Sequence, residues 1–332
     1  MLTNVLGFLA CGTVIFFAGK RLSYYGDLLA ELTGLGKAWI GLILMAAVTS
    51  LPELMVGISS SAVVESADFA VGDILGSCAV NLGVLSLMDV FTAKQKPLFS
   101  QVSQSHILAA AFGLILITSV GLGLFLQKDI VLTPSIGLTS ISFAVIYFLS
   151  MRTIYSYQQR NPQPAEAQHV EEGGLTLRTV VLWYALFAVV IIGAALVLPH
   201  FAEQIAEETG LGKSFVGTLL LAVSTSLPEI AVSLAAVRMG SVDLAVGNLL
   251  GSNIFNVFIL FLDDLFYTKG HLLKDAAEIN LLSVFFVVMM TAVAIIGFIF
   301  PSKEKRIFMG WDALVIFVLY LVNMSLLYVL TK

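Results

Sequence analysis

Ten apolar stretches, each about twenty residues long or a little more, dominate this chain: roughly 2–19, 38–62, 69–91, 106–126, 130–151, 179–200, 214–237, 243–263, 279–300 and 311–331. A helix needs about that length to cross the hydrocarbon core of a bilayer. The runs are continuous rather than alternating, which argues against a membrane barrel. Only 12% of residues are charged while 58% are hydrophobic, about half the charge of a soluble protein. The outer surface must therefore face lipid. The expected fold is an all-α polytopic membrane protein with ten transmembrane helices.

The first stretch has no basic region before it and no small-residue cleavage site, so it reads as a retained helix. Cys11 and Cys78 lie in different apolar segments and read as small buried residues. The net charge of −5 is spread over loops and suggests no nucleic-acid partner. With the N-terminus placed outside, twelve of the seventeen Lys and Arg residues fall on the inner side. The positive-inside rule thus favours both termini outside.

Residues 151–178, "MRTIYSYQQRNPQPAEAQHVEEGGLTLR", are polar and contain two prolines and a Gly-Gly. They read as a linker between two five-span halves. The expected organisation is a first repeat at 1–151, a cytoplasmic linker at 152–178 and a second repeat at 179–332.

The halves repeat. "TGLGK" stands at 33–37 and 209–213, and "TSLPE" at 49–53 and 225–229. "DFAVGDILGSCAVN" at 68–81 matches "DLAVGNLLGSNIFN" at 243–256. Asp89 matches Asp264 in the same register. Five spans separate each element from its copy, and five is odd, so the copies cross the membrane in opposite directions. Inverted repeats of this kind meet near the midplane and form substrate sites from broken helices.

Within "AVTSLPELMVG" a proline is followed at once by a glutamate, and "AVSTSLPEIAV" does the same. Proline in a helix strands the carbonyl four residues earlier, here those of Val48 and Ser224. A charge at mid-depth costs at least ~2.5 kcal/mol. Thr49, Ser50, Thr225 and Ser226 add hydroxyls just before Glu53 and Glu229. Gly72, Gly76, Gly247 and Gly251 permit close helix approach. Ser77 and Asn81 share one helix face, as do Ser252 and Asn256. If the repeats converge, the centre holds two carboxylates, two amides and several hydroxyls, with no Lys, Arg, His or Cys. Such a site suits a hard cation, Ca²⁺ before any soft metal. One copy alone would read equally well as a kink and a packing motif. Two copies in inverted halves favour transport, because intramembrane acids default to function.

These motifs, "TSLPEL…GDILGSCAVN" and "TSLPEI…GNLLGSNIFN", resemble the alpha repeats of the cation/Ca²⁺ antiporter superfamily, in its sodium/calcium exchanger branch. The resemblance covers the whole chain. It implies that Glu53 and Glu229 are shared carboxylates for Ca²⁺ and Na⁺, and that backbone oxygens of Thr49 and Thr225 complete the Ca²⁺ site. It also implies that the Ala46 and Ala222 carbonyls, with Ser77 and Ser252, line flanking Na⁺ sites. Asn81 and Asn256 would take the two remaining central positions. The chain departs from the family's pattern at Val48 and Ser224, where a glycine is usual, at Asp73, where Asn is usual, and at Cys78, where its repeat has Asn253.

Other acids read as structural. Asp68 and Asp243 directly precede apolar runs and look like helix N-caps. Asp89 and Asp264 fall near span ends and read as solvated. The four histidines lie near borders or in loops, which argues against a His relay. Asp73 breaks the repeat symmetry, since its copy is Asn248. It reads as an acid at the outer mouth, or as one held only by a helix terminus.

The resemblance thus implies a secondary antiporter exchanging Ca²⁺ for Na⁺ in the plasma membrane of a prokaryote, with no cofactor. The alternatives are a proton/Ca²⁺ exchanger of the same fold and, from another class, a cation channel. An intramembrane hydrolase is weaker, because no His accompanies a candidate serine.

Overall fold

The computed structural model describes residues 1–93, 96–126, 131–133, 136–161, 175–209, 223–305 and 308–330. Among these residues the helices are α1 (Leu2–Thr33), α2 (Lys37–Thr49), α3 (Leu51–Ala62), α4 (Ala67–Met88), α5 (Ser105–Leu126), α6 (Leu138–Arg160), α7 (Leu177–Glu208), α8 (Leu227–Arg238), α9 (Val242–Phe266), α10 (Asn280–Ile299) and α11 (Trp311–Leu330). Eight are long and apolar enough to cross a membrane, and the bent pair α2–α3 makes a ninth span. Helix α8, at 12 residues, is too short to span by itself. The stretch before it, 210–222, holds the second "TGLGK" and lies outside the described residues. The connection from α5 to α6 contains a short antiparallel pair, Val131–Thr133 with Ile136–Gly137, so the chain is not wholly helical.

Several helices outrun their apolar cores. Helix α1 extends to Thr33 rather than stopping near residue 19. At 1.5 Å per residue its 32 residues exceed the hydrocarbon thickness. The excess carries Lys20, Arg21, Asp27 and Glu31. Gly34 ends it in the left-handed conformation (φ 68°), donating its N–H to Ala30 at 3.0 Å. Gly36, at φ 77°, completes the turn into α2. Helix α6 runs on to Arg160 and α7 starts at Leu177. The first residues of the expected linker are therefore helical, and 162–174 lie outside the described residues.

Helices α4 and α9 form the centre. Of their most apolar windows 72% and 83% are buried, against 17–44% in the other six single spans. Those six expose Phe17, Phe125, Phe148, Val189, Phe285 and Val329 outward, as lipid contact requires. Helix α1 runs antiparallel along α7, its sequence counterpart: the N-terminal amine pairs with Glu208, while Tyr25 stacks on Trp183 and Phe187. Helices α4 and α9 also cross antiparallel, meeting where Cys78 faces Asn253. Gly247 and Gly251 make close approach possible. A Cβ on Gly247 would lie 2.7 Å from the Ala38 carbonyl oxygen, and one on Gly251 would collide with the Leu42 carbonyl. The segment of the second repeat that corresponds to residues 38–42 lies outside the described residues.

The connections fall on two faces. On one, Thr268 donates to Glu65 at 2.6 Å, Lys269 pairs with Glu65 at 3.2 Å, and the Ala277 N–H reaches Asp68 at 2.5 Å. The Thr268 and Lys269 bonds hold the Glu65 carboxyl below the usual carboxylate range. On the other face, Lys37 pairs with Asp27 at 2.9 Å and Ser241 donates to Asp27 at 2.5 Å.

Four acids differ from expectation. The α4 N-cap is Ser66, which accepts from Phe69 N–H at 3.4 Å; Asp68 lies in the first turn and ties down the distant Ala277. The α9 N-cap position is Ser241, not Asp243, which accepts from Ser103 N–H at 2.8 Å and sits 3.1 Å from buried His106. That histidine is the second residue of α5, at a span border as expected, yet it is buried. Asp89 and Asp264 are buried, not solvated. Asp89 accepts from Leu98 N–H at 2.6 Å and Gly310 N–H at 2.7 Å. Asp264 accepts from Leu272 N–H at 2.7 Å and Ser140 hydroxyl at 2.5 Å. Each matched acid thus caps the loop that follows its helix, and a buried N–H needs such an acceptor.

Candidate ion-binding site

The two "TSLPE" copies fold alike. Helix α2 contains a π-helical stretch, Ile40–Met45, then breaks at Ser50 (φ −90°, ψ 9°), and α3 leaves at a bend of 44°. Helix α8 starts at an equivalent Ser226 (φ −82°, ψ 3°). Pro52 and Pro228 lie in the first turns of these new helices. Proline is tolerated there because its missing N–H would have had no intrahelical partner. The prolines therefore start half-helices rather than interrupt continuous ones.

This break positions the acids. Glu53 and Glu229 occupy the first turns of α3 and α8. The positive end of a helix favours a carboxylate by up to ~2 kcal/mol in a partly buried setting. That is less than the ~2.5 kcal/mol or more that each charge costs at mid-depth, so further compensation is needed. Each acid is 1% exposed.

Helices α4 and α9 bring the remaining groups. Ser77 donates to Glu53 Oε1 at 3.4 Å, and its copy Ser252 reaches Glu229 Oε1 at 3.5 Å. The halves also interlock: Ser50 donates to Glu229 Oε1 at 3.1 Å, and Ser226 to Ser77 Oγ at 3.3 Å. Asn81 donates to Asn253 Oδ1 at 3.0 Å, while its copy Asn256 sits with Nδ2 3.9 Å from Cys78 Sγ. Thr49 lies 3.4 Å from Ser252 and donates to Asn248 Oδ1 at 3.3 Å. The Ala46 carbonyl accepts from Ser50 N–H at 3.0 Å and the Thr49 hydroxyl at 3.4 Å. Thr225 is buried, and Ala222 lies outside the described residues.

Four oxygens remain: Glu53 Oε2, Glu229 Oε2, Asn81 Oδ1 and Asn256 Oδ1 are buried without a hydrogen-bond partner among the described residues. A buried oxygen left this way costs ~1–3 kcal/mol, more when charged. The four come in repeat-matched pairs, and all are hard donors of the kind that replaces the hydration shell of Ca²⁺ or Na⁺. Ser50 and Ser226 were visible as hydroxyls beside the acids, yet nothing local says that they bond across the halves. Asn253 and Asn248 enter the network through α9. Asp263, next to the matched Asp264, belongs to no repeat motif; a second acid at an apolar helix end is its one sequence signal.

A family model described as sodium/calcium exchanger protein matches residues 3–155 and 179–329. The chain belongs to this family. It is 29% identical over 256 residues to inner membrane protein YrbG of Escherichia coli K12, covering 74% of each chain. It is 36% identical over 149 residues to the sodium/calcium exchanger MaX1 of Methanosarcina acetivorans, covering 43% of this chain and 40% of that one. A solved structure of the sodium-calcium exchanger NCX_Mj, soaked with Na⁺ and Ca²⁺, matches 98% of both chains with a TM-score of 0.75 at 19% identity. That likeness establishes the shared exchanger fold. The protein is an integral membrane transporter of the cation/Ca²⁺ antiporter superfamily, and residues 156–178 separate the two family-matched blocks.

Proposed function

We propose that this exchanger carries Ca²⁺ in one direction and Na⁺ in the other, by alternating access at the site around Glu53 and Glu229. The observation that carries the reading is the set of four buried, unpartnered oxygens from two carboxylates and two amides, matched between the repeats. Either cation would supply the missing partner. Because the ions would share ligands, they compete. Occupied, the two acids are neutralised; empty, they retain a charge that resists passage between the open states, which enforces exchange over leak.

The two halves, 1–151 and 179–332, form an inverted repeat of five spans each. The antiparallel runs of α1 along α7 and of α4 across α9 support this reading. Glu53, Glu229, Asn81 and Asn256 hold Ca²⁺, with the backbone oxygens of Thr49 and Thr225. Ser77, Ser252 and the carbonyls of Ala46 and Ala222 serve Na⁺. The site binds no resident cofactor. Residues 152–178 face the cytoplasm, both termini lie outside, and the protein sits in a prokaryotic plasma membrane. The bias of basic residues supports that orientation.

The test is Ca²⁺ uptake into proteoliposomes driven in turn by outward Na⁺, H⁺ and K⁺ gradients. Uptake on the Na⁺ gradient with pH equal across the membrane is expected. Uptake on the pH gradient alone would establish proton coupling instead. Uptake without any counter-ion gradient would mark a channel.

A further inference from the structure

One layer of the protein, nearer the face carrying residues 63–66 and 267–279, has a chemistry its symmetry mate lacks. Glu53 on α3 and Ser77 on α4 belong to the central site. One turn along each helix toward this face stand Gly57 and Asp73. Opposite them, about two turns from Asn256, α9 presents Asp263. Asp263 is fully buried, and both carboxylate oxygens lack a hydrogen-bond partner among the described residues. Asp73 Oδ2 is buried and unpartnered as well. The two acids interact electrostatically with each other, and Asp73 also with Glu53. No ion pair to either occurs among the described residues. Gly57 makes the room: a Cβ there would collide with the Asp263 carboxylate.

In register with the repeats, Gly57, Asp73 and Asp263 correspond to Ser233, Asn248 and Met88. That second layer is neutral and closed. Asn248 donates to Ser233 Oγ at 2.9 Å, and Met88 is 1% exposed in the apolar core. Packing alone therefore asks for no acid at these positions. A fully buried carboxylate such as Asp263, set near the inner oxygen of a second acid with no counter-charge, is strongly unfavourable.

We propose that Asp73 and Asp263 form a second cation subsite, distinct from the central one, that takes a divalent cation such as Ca²⁺ on the route between the central site and this face. Two carboxylates balance one divalent charge, three unpartnered oxygens supply ligands, and water completes the six to eight that Ca²⁺ takes. The existence of the subsite is independent of the exchange reading; its role as a staging site rests on it. Because the mirror layer is neutral, staging is one-sided.

The test is equilibrium binding of ⁴⁵Ca²⁺ to purified protein, using variants that remain monodisperse with wild-type thermal stability. Wild type should bind about two Ca²⁺ per chain, given the two sites each formed around a carboxylate pair. Glu53→Gln/Glu229→Gln removes the central site and should leave about one. Adding Asp263→Asn should weaken that remaining site roughly a hundredfold or more, since it removes one buried charge from a compensated set. Asp263→Met, which copies Met88, and Asp73→Asn, which copies Asn248, should act alike. Gly57→Ala perturbs the same layer from another helix and should weaken the site even if every Asp263 variant fails to fold. Loss of all binding in the Glu53→Gln/Glu229→Gln protein would overturn the subsite while leaving the central reading intact. Residual binding untouched by Asp73→Asn and Gly57→Ala would overturn it too. A single wild-type site that survives the double substitution but is lost with Asp263→Asn would uphold the subsite and sink the central assignment.

Discussion

Ser50 donates its hydroxyl to Glu229 at 3.1 Å, across the junction between the two halves of the chain. Its copy, Ser226, reaches back to Ser77 at 3.3 Å. Each half thus lends a hydroxyl to the other, so a change on one side is felt on the other. A hydrogen bond to a charged group contributes ~1.5–3 kcal/mol. Ser50→Ala should therefore weaken apparent Ca²⁺ affinity by roughly tenfold or more, read from the Ca²⁺ dependence of gradient-driven flux. Unchanged affinity would make the contact incidental to binding.

Glu53→Gln and Glu229→Gln should each reduce Ca²⁺ exchange by more than about a hundredfold, because each removes one of two charges matched to a divalent ion. The proteins should still insert, since glutamine is less costly than glutamate at mid-depth. Flux in proteoliposomes at equal protein content is the measurement. Wild-type rates in either variant would remove these residues from the transport site.

Asn81 and Asn256 each present one unpartnered amide oxygen. Leucine at either position keeps the bulk and removes the oxygen. Ca²⁺ should then bind about tenfold or more weakly, on the scale of one lost ligand to a charged species, with little change in thermal stability. A fall in Tm with unaltered Ca²⁺ affinity would assign these amides to packing.

Close backbone packing is a separate requirement. Gly251→Ala would drive a methyl into the Leu42 carbonyl, whereas Gly193 on α7 has no atom within 4 Å of an added Cβ. Overpacking of this kind costs ~1–3 kcal/mol. Gly251→Ala should lower Tm by several degrees in detergent, and Gly193→Ala should leave it nearly unchanged. Equal Tm values would show that α2 and α9 have room to separate.

Asp89 offers a test away from the transport pathway. It accepts from Leu98 and Gly310 N–H groups, and Lys305 donates to its carbonyl. Asp89→Ala strands two buried donors at ~1–3 kcal/mol each, so Tm should fall clearly. Glu65→Gln on an exposed loop pair should barely move it. Similar Tm values for Asp89→Ala and wild type would mean that this loop is held by other contacts.

The apolar runs, the duplicated "TSLPE" and the paired acids were all legible in the linear chain. Crossing a membrane is a matter of local length and hydropathy, and a repeat shows itself by register. Opposite orientation followed from counting. The exact place of the helix breaks was not legible, because the same proline interrupts a helix in its interior and starts one at its first turn. Only the fold puts Pro52 and Pro228 at starts. Asp89 and Asp264 look solvated beside polar loops, yet those loops return N–H groups to them inside the protein.

What the sequence determined by itself was the set of polar groups set within apolar runs and their duplication along the chain. The tertiary structure alone decided which of them meet. Ser50 and Glu229 are 179 residues apart, and Asn81 and Asn253 are 172. Residue patterns record which face of a helix is polar. They do not record the partner across the interface, because that depends on how closely α4 and α9 approach and at what register they cross. The same crossing leaves four central oxygens unpartnered and sets Asp263 against the bare backbone of Gly57, where no nearby residue in the chain announces it.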